Sequence, residues 1–149
     1  MSYDPNDMIT AYGVADAACC YAGKVGCVVR VPGQNSIITA YNKPLPGYSN
    51  CYEAGGCLLR SDGKKDRCVR TIHAENYAMR SIIDRGLSLE GCTFIQTKMP
   101  CLQCAKFMAL MGVGIVYYVE PNSTLPSVGV EMFLPMQVIR VDDPRKGPR

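Results

Sequence analysis

The chain predicts an α/β domain, a single sheet covered by helices. Two observations carry that expectation: apolar periodicities that alternate between the helical and the strand period, and an order of helix, hairpin, helix, strand, helix, strand. The 149 residues are enough for one domain with a real core.

Each element has a local cause. From Asp4 to Tyr21 the chain is Ala-rich, with Met8, Tyr12, Ala15 and Cys19 at helical spacing, and Asp4-Pro5 supplies an N-cap and a first-turn proline. Val25 to Val31 and Ser36 to Tyr41 are strand-like runs joined by the turn Pro32-Gly33-Gln34-Asn35, a hairpin signature. Residues 42–70 hold six Gly or Pro and three Cys without any period, and read as a long functional loop. Thr71 to Arg85 predicts a helix with an apolar stripe at Met79, Ile82 and Ile83, ended by Gly86. Cys92 to Thr97 is a strand. Cys101 to Met111 is a helix apolar on nearly every side, expected to be buried. Ile115 to Val119 and a weaker Gln137 to Val141 complete the strands, with a short helix near Val128 to Phe133 between them. Residues 1–141 are thus one domain, and 142–149 are expected to be a disordered basic tail.

Composition narrows the function. The net charge of +3 resides in the last six residues, which carry three bases and no acid; the rest has thirteen of each. A balanced body lacks the basic footprint that long nucleic acids need, which favours a small-molecule substrate. No signal-peptide pattern and no 18-residue apolar run occur, so a cytoplasmic protein with no membrane partner is expected. Nine cysteines, an odd number, do not make a secreted disulfide scaffold. Cys27 and Cys92 fall in strands and read as core residues.

The chemistry lies in Thr71-Ile72-His73-Ala74-Glu75 and, after 24 intervening residues, Pro100-Cys101-Leu102-Gln103-Cys104. Cys101 and Cys104 sit three apart at a helix start, where both side chains can face one point and the helix terminus favours thiolate. His73, the only histidine in the chain, supplies a third ligand. Structural zinc sites close with four protein ligands, whereas catalytic ones keep a position for water, whose pKa zinc lowers to roughly 7. Glu75 is spaced to move that water's proton as general acid and base. Taken singly, these residues have plainer readings: a core histidine, two buried thiols, a first-turn acid. Their combination decides against them.

The pattern H-x-E with P-C-x-x-C is that of the zinc deaminases. The resemblance runs over about residues 5 to 120 and is nearest to the bacterial and phage single-domain deoxycytidylate deaminases. Cys20 to Val29 resembles their passage from first helix to Val-Gly strand; Tyr41-Asn42-Lys43-Pro44 with Gly47 resembles their Tyr-Asn-Gly-x-Pro-x-Gly loop; and Cys68 to His73 is similar to their approach to the histidine. The resemblance implies a three-layer α/β/α sandwich with a five-stranded mixed sheet, of cytidine deaminase-like type. It implies hydrolysis of dCMP to dUMP and ammonia with one catalytic zinc on His73, Cys101 and Cys104. Glu75 would be the proton shuttle, and the Ala74 N–H and Met99 carbonyl would hold the base. Asn42 would meet the sugar–phosphate end, and Tyr118 would pack near the substrate. Relatives are commonly homohexamers.

Two departures stand out. The family's H-A-E-x-N-A is His73-Ala74-Glu75-Asn76-Tyr77-Ala78 here, with the asparagine shifted by one, so its usual contacts do not carry over. The family's Gly-Tyr-Asn-Gly motif, linked to dCTP and dTTP as effectors, is Ala40-Tyr41-Asn42-Lys43. Losing both glycines hinders close backbone approach to a phosphate. Tyr41 and Lys43 stay as candidate effector or phosphate contacts, Lys43 through its charge. Arg70, Lys24 and Lys43 are alternatives for the phosphate. A second, structural zinc on Cys51, Cys57 and Cys68 is less favoured than free thiols, because no second histidine exists. The alternatives to dCMP are a tRNA adenosine deaminase, another cytidine-type deaminase, and a non-catalytic zinc module.

Overall fold

The structure, a computed structural model, describes residues 3–20, 23–56, 58, 70–122 and 132–146. Its elements are α1 (Pro5–Ala15), β1 (Gly26–Arg30), β2 (Ile37–Tyr41), α2 (Cys51–Ala54), α3 (Ala74–Asp84), β3 (Thr93–Lys98), α4 (Leu102–Leu110), β4 (Ile115–Glu120) and β5 (Gln137–Arg140). The five strands form one mixed sheet in the order β2-β1-β3-β4-β5. The β1–β2 hairpin and the β1–β3 pair are antiparallel, and β3–β4 and β4–β5 are parallel.

The period of two along each strand divides the core into two apolar layers. Val28, Ile95, Tyr117 and Val119 face one way and pack with Met8 and Ala11 of α1. Their neighbours Cys27, Val29, Phe94 and Val116 face the other way and pack with Ala78, Met79 and Ile82 of α3 and Ala105 and Met108 of α4. The result is the helix–sheet–helix sandwich expected from the sequence.

On the α1 side, Gly26 sets how closely helix and sheet approach. A Cβ there would lie 1.9 Å from the Ala11 carbonyl oxygen, so only glycine admits this packing. Asp4 caps α1 by accepting from the Asn6 N–H at 2.9 Å. Asp7 faces the sheet and receives two hydrogen bonds from the Arg30 guanidinium, at 2.7 and 2.9 Å, a bidentate pair that ties helix to strand.

Several boundaries differ from the expectation. The first helix ends at Ala15, so Cys19 lies beyond it. The helix predicted from Thr71 begins at Ala74, because Ile72 is drawn into a bridge with Lys43. Ile83, expected on its buried stripe, is 51% exposed. It does end as predicted: Gly86 takes φ 72° and the Leu87 N–H returns to the Ile82 carbonyl. Helix α4 is not buried all round. Cys104, Ala105 and Met108 face the core, but Phe107 and Leu110 are exposed, since no described element covers its outer side.

Among its described residues the long loop after β2 holds one helical turn, α2, whose start is capped by a capping box between Asn50 and Glu53. Of the helix expected at 128–133, only residues 132 and 133 are described, and Phe133 is buried. Of the tail expected at 142–149, residues 142–146 are described. Arg145 bonds to Asp143 at 2.8 Å and stacks 3.4 Å above the Tyr12 ring, contacts that fix a chain lacking apolar anchors.

Candidate metal centre

Two helix starts converge on one point. His73 is the N-cap of α3, in extended conformation, and Cys101 is the N-cap of α4. The Cys104 N–H, in the first turn of α4, points at the Cys101 sulfur at 3.5 Å. Strand β3 ends at Lys98 and leads straight through Met99 and Pro100 to Cys101, so the sheet fixes where α4 begins. The approach to His73 is fixed from the other side. Lys43 and Ile72 exchange backbone hydrogen bonds of 3.2 and 2.8 Å, fastening the long loop to the residue before the histidine.

His73 Nδ1 lies 3.4 Å from Cys104 Sγ and 3.5 Å from Cys101 Sγ. All three ligand atoms lie within 4.8 Å of one another, and they are the metal-type cluster among the described residues. A tetrahedral zinc with Zn–N near 2.0 Å and Zn–S near 2.3 Å would separate nitrogen and sulfur by about 3.5 Å. The spacing therefore fits zinc. The donor set fits too, with two soft thiolates and one imidazole.

The two thiols, within 4.8 Å of each other, perturb one another in opposite directions. The Cys101 thiol is lowered below its ordinary range, first by hydrogen bonding with Cys104 and then by His73, while its own burial opposes the shift. Cys104 moves the other way, raised by that same hydrogen bond and by burial. A negative sulfur beside a second sulfur is what a cation would relieve.

Glu75, one residue into α3, is 3% exposed and lies between the cluster and the sheet. Burial raises its carboxyl above the usual range, against the lowering influence of His73. Its Oε1 accepts from Gln96 Nε2 at 3.1 Å.

The other expected residues surround this group. Ala74 is the first residue of α3, where a backbone N–H has no intrahelical acceptor. Met99 is buried, and its carbonyl accepts from Asn122 Nδ2 at 3.2 Å. Tyr118 stands beside Gln96 in the β3–β4 register, half-buried on the α3 side of the sheet. Asn42 is buried, with a role the sequence did not disclose: its Oδ1 accepts from the Val25 N–H at 2.8 Å and its Nδ2 donates to the Gly23 carbonyl at 2.9 Å. Lys43 places its ammonium over the rings of Tyr41 and Tyr77, 5.1 and 4.7 Å from their centroids. Two hollows of about 270 and 600 Å³ share Tyr41, Lys43 and Tyr77 as walls, and neither is bordered by His73, Glu75 or Cys101.

Sequence reasoning missed two neighbours. The shifted Asn76 still reaches the centre, its Oδ1 3.9 Å from Cys104 Sγ. Gln96 gave one signal, a long amide in an otherwise strand-like run. Of the cysteines considered for a second zinc, Cys51 is buried in α2, and Cys57 and Cys68 lie outside the described residues.

Comparison with known proteins agrees with this geometry. The model of the cytidine and deoxycytidylate deaminase zinc-binding region matches residues 1–120, and the chain belongs to that family. The cluster of His73, Cys101 and Cys104 falls within the matched zinc-binding region. ComE operon protein 2 of Bacillus subtilis (strain 168) is 31% identical over 126 residues, covering 85% of this chain and 64% of that protein's length. The dCMP deaminase of cyanophage S-TIM5, in complex with dCMP and dUMP, superposes with a TM-score of 0.71 at 27% identity, covering 90% of this chain and 93% of the other. A tRNA:A34 deaminase shares the fold at a TM-score of 0.58 and 20% identity, covering 91% and 97% of the two chains.

Proposed function

We propose that this protein hydrolyses dCMP to dUMP and ammonia, using one zinc ion held by His73, Cys101 and Cys104. The observation that carries the reading is the three-ligand cluster with Glu75 buried beside it. Zinc, when bound, would act as a Lewis acid that makes water nucleophilic near neutral pH. Glu75 accepts one proton from the attacking water and delivers it to N3 of the pyrimidine, then takes the second from the new C4 hydroxyl and gives it to the amino group, which departs as ammonia. Water's oxygen is bonded to C4 as the C4–N bond breaks. The Ala74 N–H donates to the base O2, and the Met99 carbonyl orients the amino group with the lone pair that Asn122 leaves. Asn42 retains one N–H beyond its bond to Gly23 for the sugar end, and Tyr118 closes the sheet side.

For dCMP over other pyrimidines, the support is the Tyr41–Gly47 loop and the likeness to the cyanophage enzyme. Lys43, on the rim of both hollows, is the candidate for an anionic phosphate or nucleotide effector. A homo-oligomer and a cytoplasmic setting go with this reading. Among the described residues no helix is long and apolar enough to cross a membrane.

The test is deamination of dCMP, cytidine and a tRNA anticodon stem by the zinc-loaded protein, with dCTP or dTTP added in parallel. Turnover of dCMP above the others supports the proposal, and action on the RNA alone would overturn it. Four protein ligands with no open position, seen by metal spectroscopy, would point instead to a non-catalytic module.

A further inference from the structure

Gln96 is fully buried in the middle of β3, where its neighbours Cys27 on β1 and Tyr118 on β4 face α3 with it. An amide there adds nothing to apolar packing that a methionine would not. Its Nε2 donates 2.8 Å to the Lys98 carbonyl of its own strand and 3.1 Å to Glu75 Oε1. Only the nitrogen can serve two acceptors, so the amide orientation is fixed. Its Oε1 is buried without a hydrogen-bond partner among the described residues, an arrangement that costs stability. A buried polar group held at such a cost, with one N–H anchored to the strand and the other aimed at a buried carboxylate, is the pattern of a residue kept for function.

We infer that Gln96 is a positioning residue for Glu75. By occupying Oε1 it holds the carboxylate plane and leaves Oε2 as the oxygen that takes and returns the proton. The anchor to Lys98 makes this hold rigid, because Lys98 closes the strand that delivers Cys101 to the same centre. The inference rests on the reading of Glu75 as proton shuttle. It adds a residue that the H-x-E and P-C-x-x-C motifs do not contain.

The test is Gln96→Met, which keeps length and apolar volume but removes the donor. Zinc content, kinetics and thermal midpoint are measured on the full chain. The expected result is unchanged zinc and kcat lower by roughly 10- to 100-fold with KM nearly constant. A merely structural role would lower midpoint, zinc content and activity together, and that pattern, or an unchanged kcat, would overturn the inference. A second measurement needs no substrate. In unfolding experiments on Gln96→Met, Glu75→Ala and the double variant, coupled residues give non-additive shifts, and additive shifts reject the pairing. Should the parent deaminate no pyrimidine, the proposed function fails while this cycle still decides the pairing.

Discussion

Lys43 and Ile72, 29 positions apart, each donate a backbone N–H to the other's carbonyl. This two-bond bridge holds the segment ahead of His73 against the loop that follows β2. His73 is the exposed N-cap residue of α3, so the direction of its imidazole depends on that backbone. Ile72→Pro would delete the donor to Lys43 and should weaken zinc binding by about 10-fold or more. Ile72→Val, with the N–H intact, should not; chelator competition checks both.

Glu75→Gln should retain zinc and lose nearly all turnover, by roughly 10² to 10⁴, because an amide cannot shuttle the proton. Metal analysis beside the deamination assay separates this from loss of the site. Near-parental rates would contradict the assigned role.

Removing zinc with a chelator should expose a reactive sulfur at Cys101. Hydrogen bonding with Cys104 and the neighbouring His73 hold its thiol below the ordinary range, so it should alkylate at a lower pH than an ordinary cysteine. Cys92, pushed up to about 11 by burial, and the fully buried Cys27 should not react there. Mass mapping after iodoacetamide treatment reads this directly, and zinc should protect Cys101.

Gly26→Ala should be among the most damaging substitutions far from the centre. Its Cβ would meet the Ala11 carbonyl at 1.9 Å, a backbone atom that cannot swing away. A loss of about 3 kcal/mol or more is expected in chemical denaturation, as α1 must lift from the sheet.

The Asp143–Arg145 pair gives a pH dependence with a definite sign. Hydrogen bonding to Arg145 lowers the Asp143 carboxyl to about 2 from 3.8. The folded protein thus binds fewer protons there than the unfolded chain. The contribution is complete above about 3.8 and is lost as pH falls through 2. Arg145 is half exposed, so solvent screening limits it to about 1 kcal/mol. Asp143→Asn should lower stability at pH 7 and flatten that acid slope.

Much of this protein was settled by local sequence. Alternating periods gave the sheet and its two helical layers, because a strand or helix must bury whichever face its own period makes apolar. The ligands and Glu75 were legible because zinc chemistry restricts both residue types and their spacing at helix starts. What local sequence could not contain is whatever depends on a partner distant in the chain. The outer side of α4 is apolar yet exposed, since burial is decided by what packs there rather than by composition. The asparagine at 42 closes the Gly23–Val25 turn, a contact that exists only once β1 and β2 are paired. Gln96 meets Glu75 only once the tertiary fold brings the start of α3 to β3, and a hydrogen bond between residues 21 apart leaves no periodic trace in either segment.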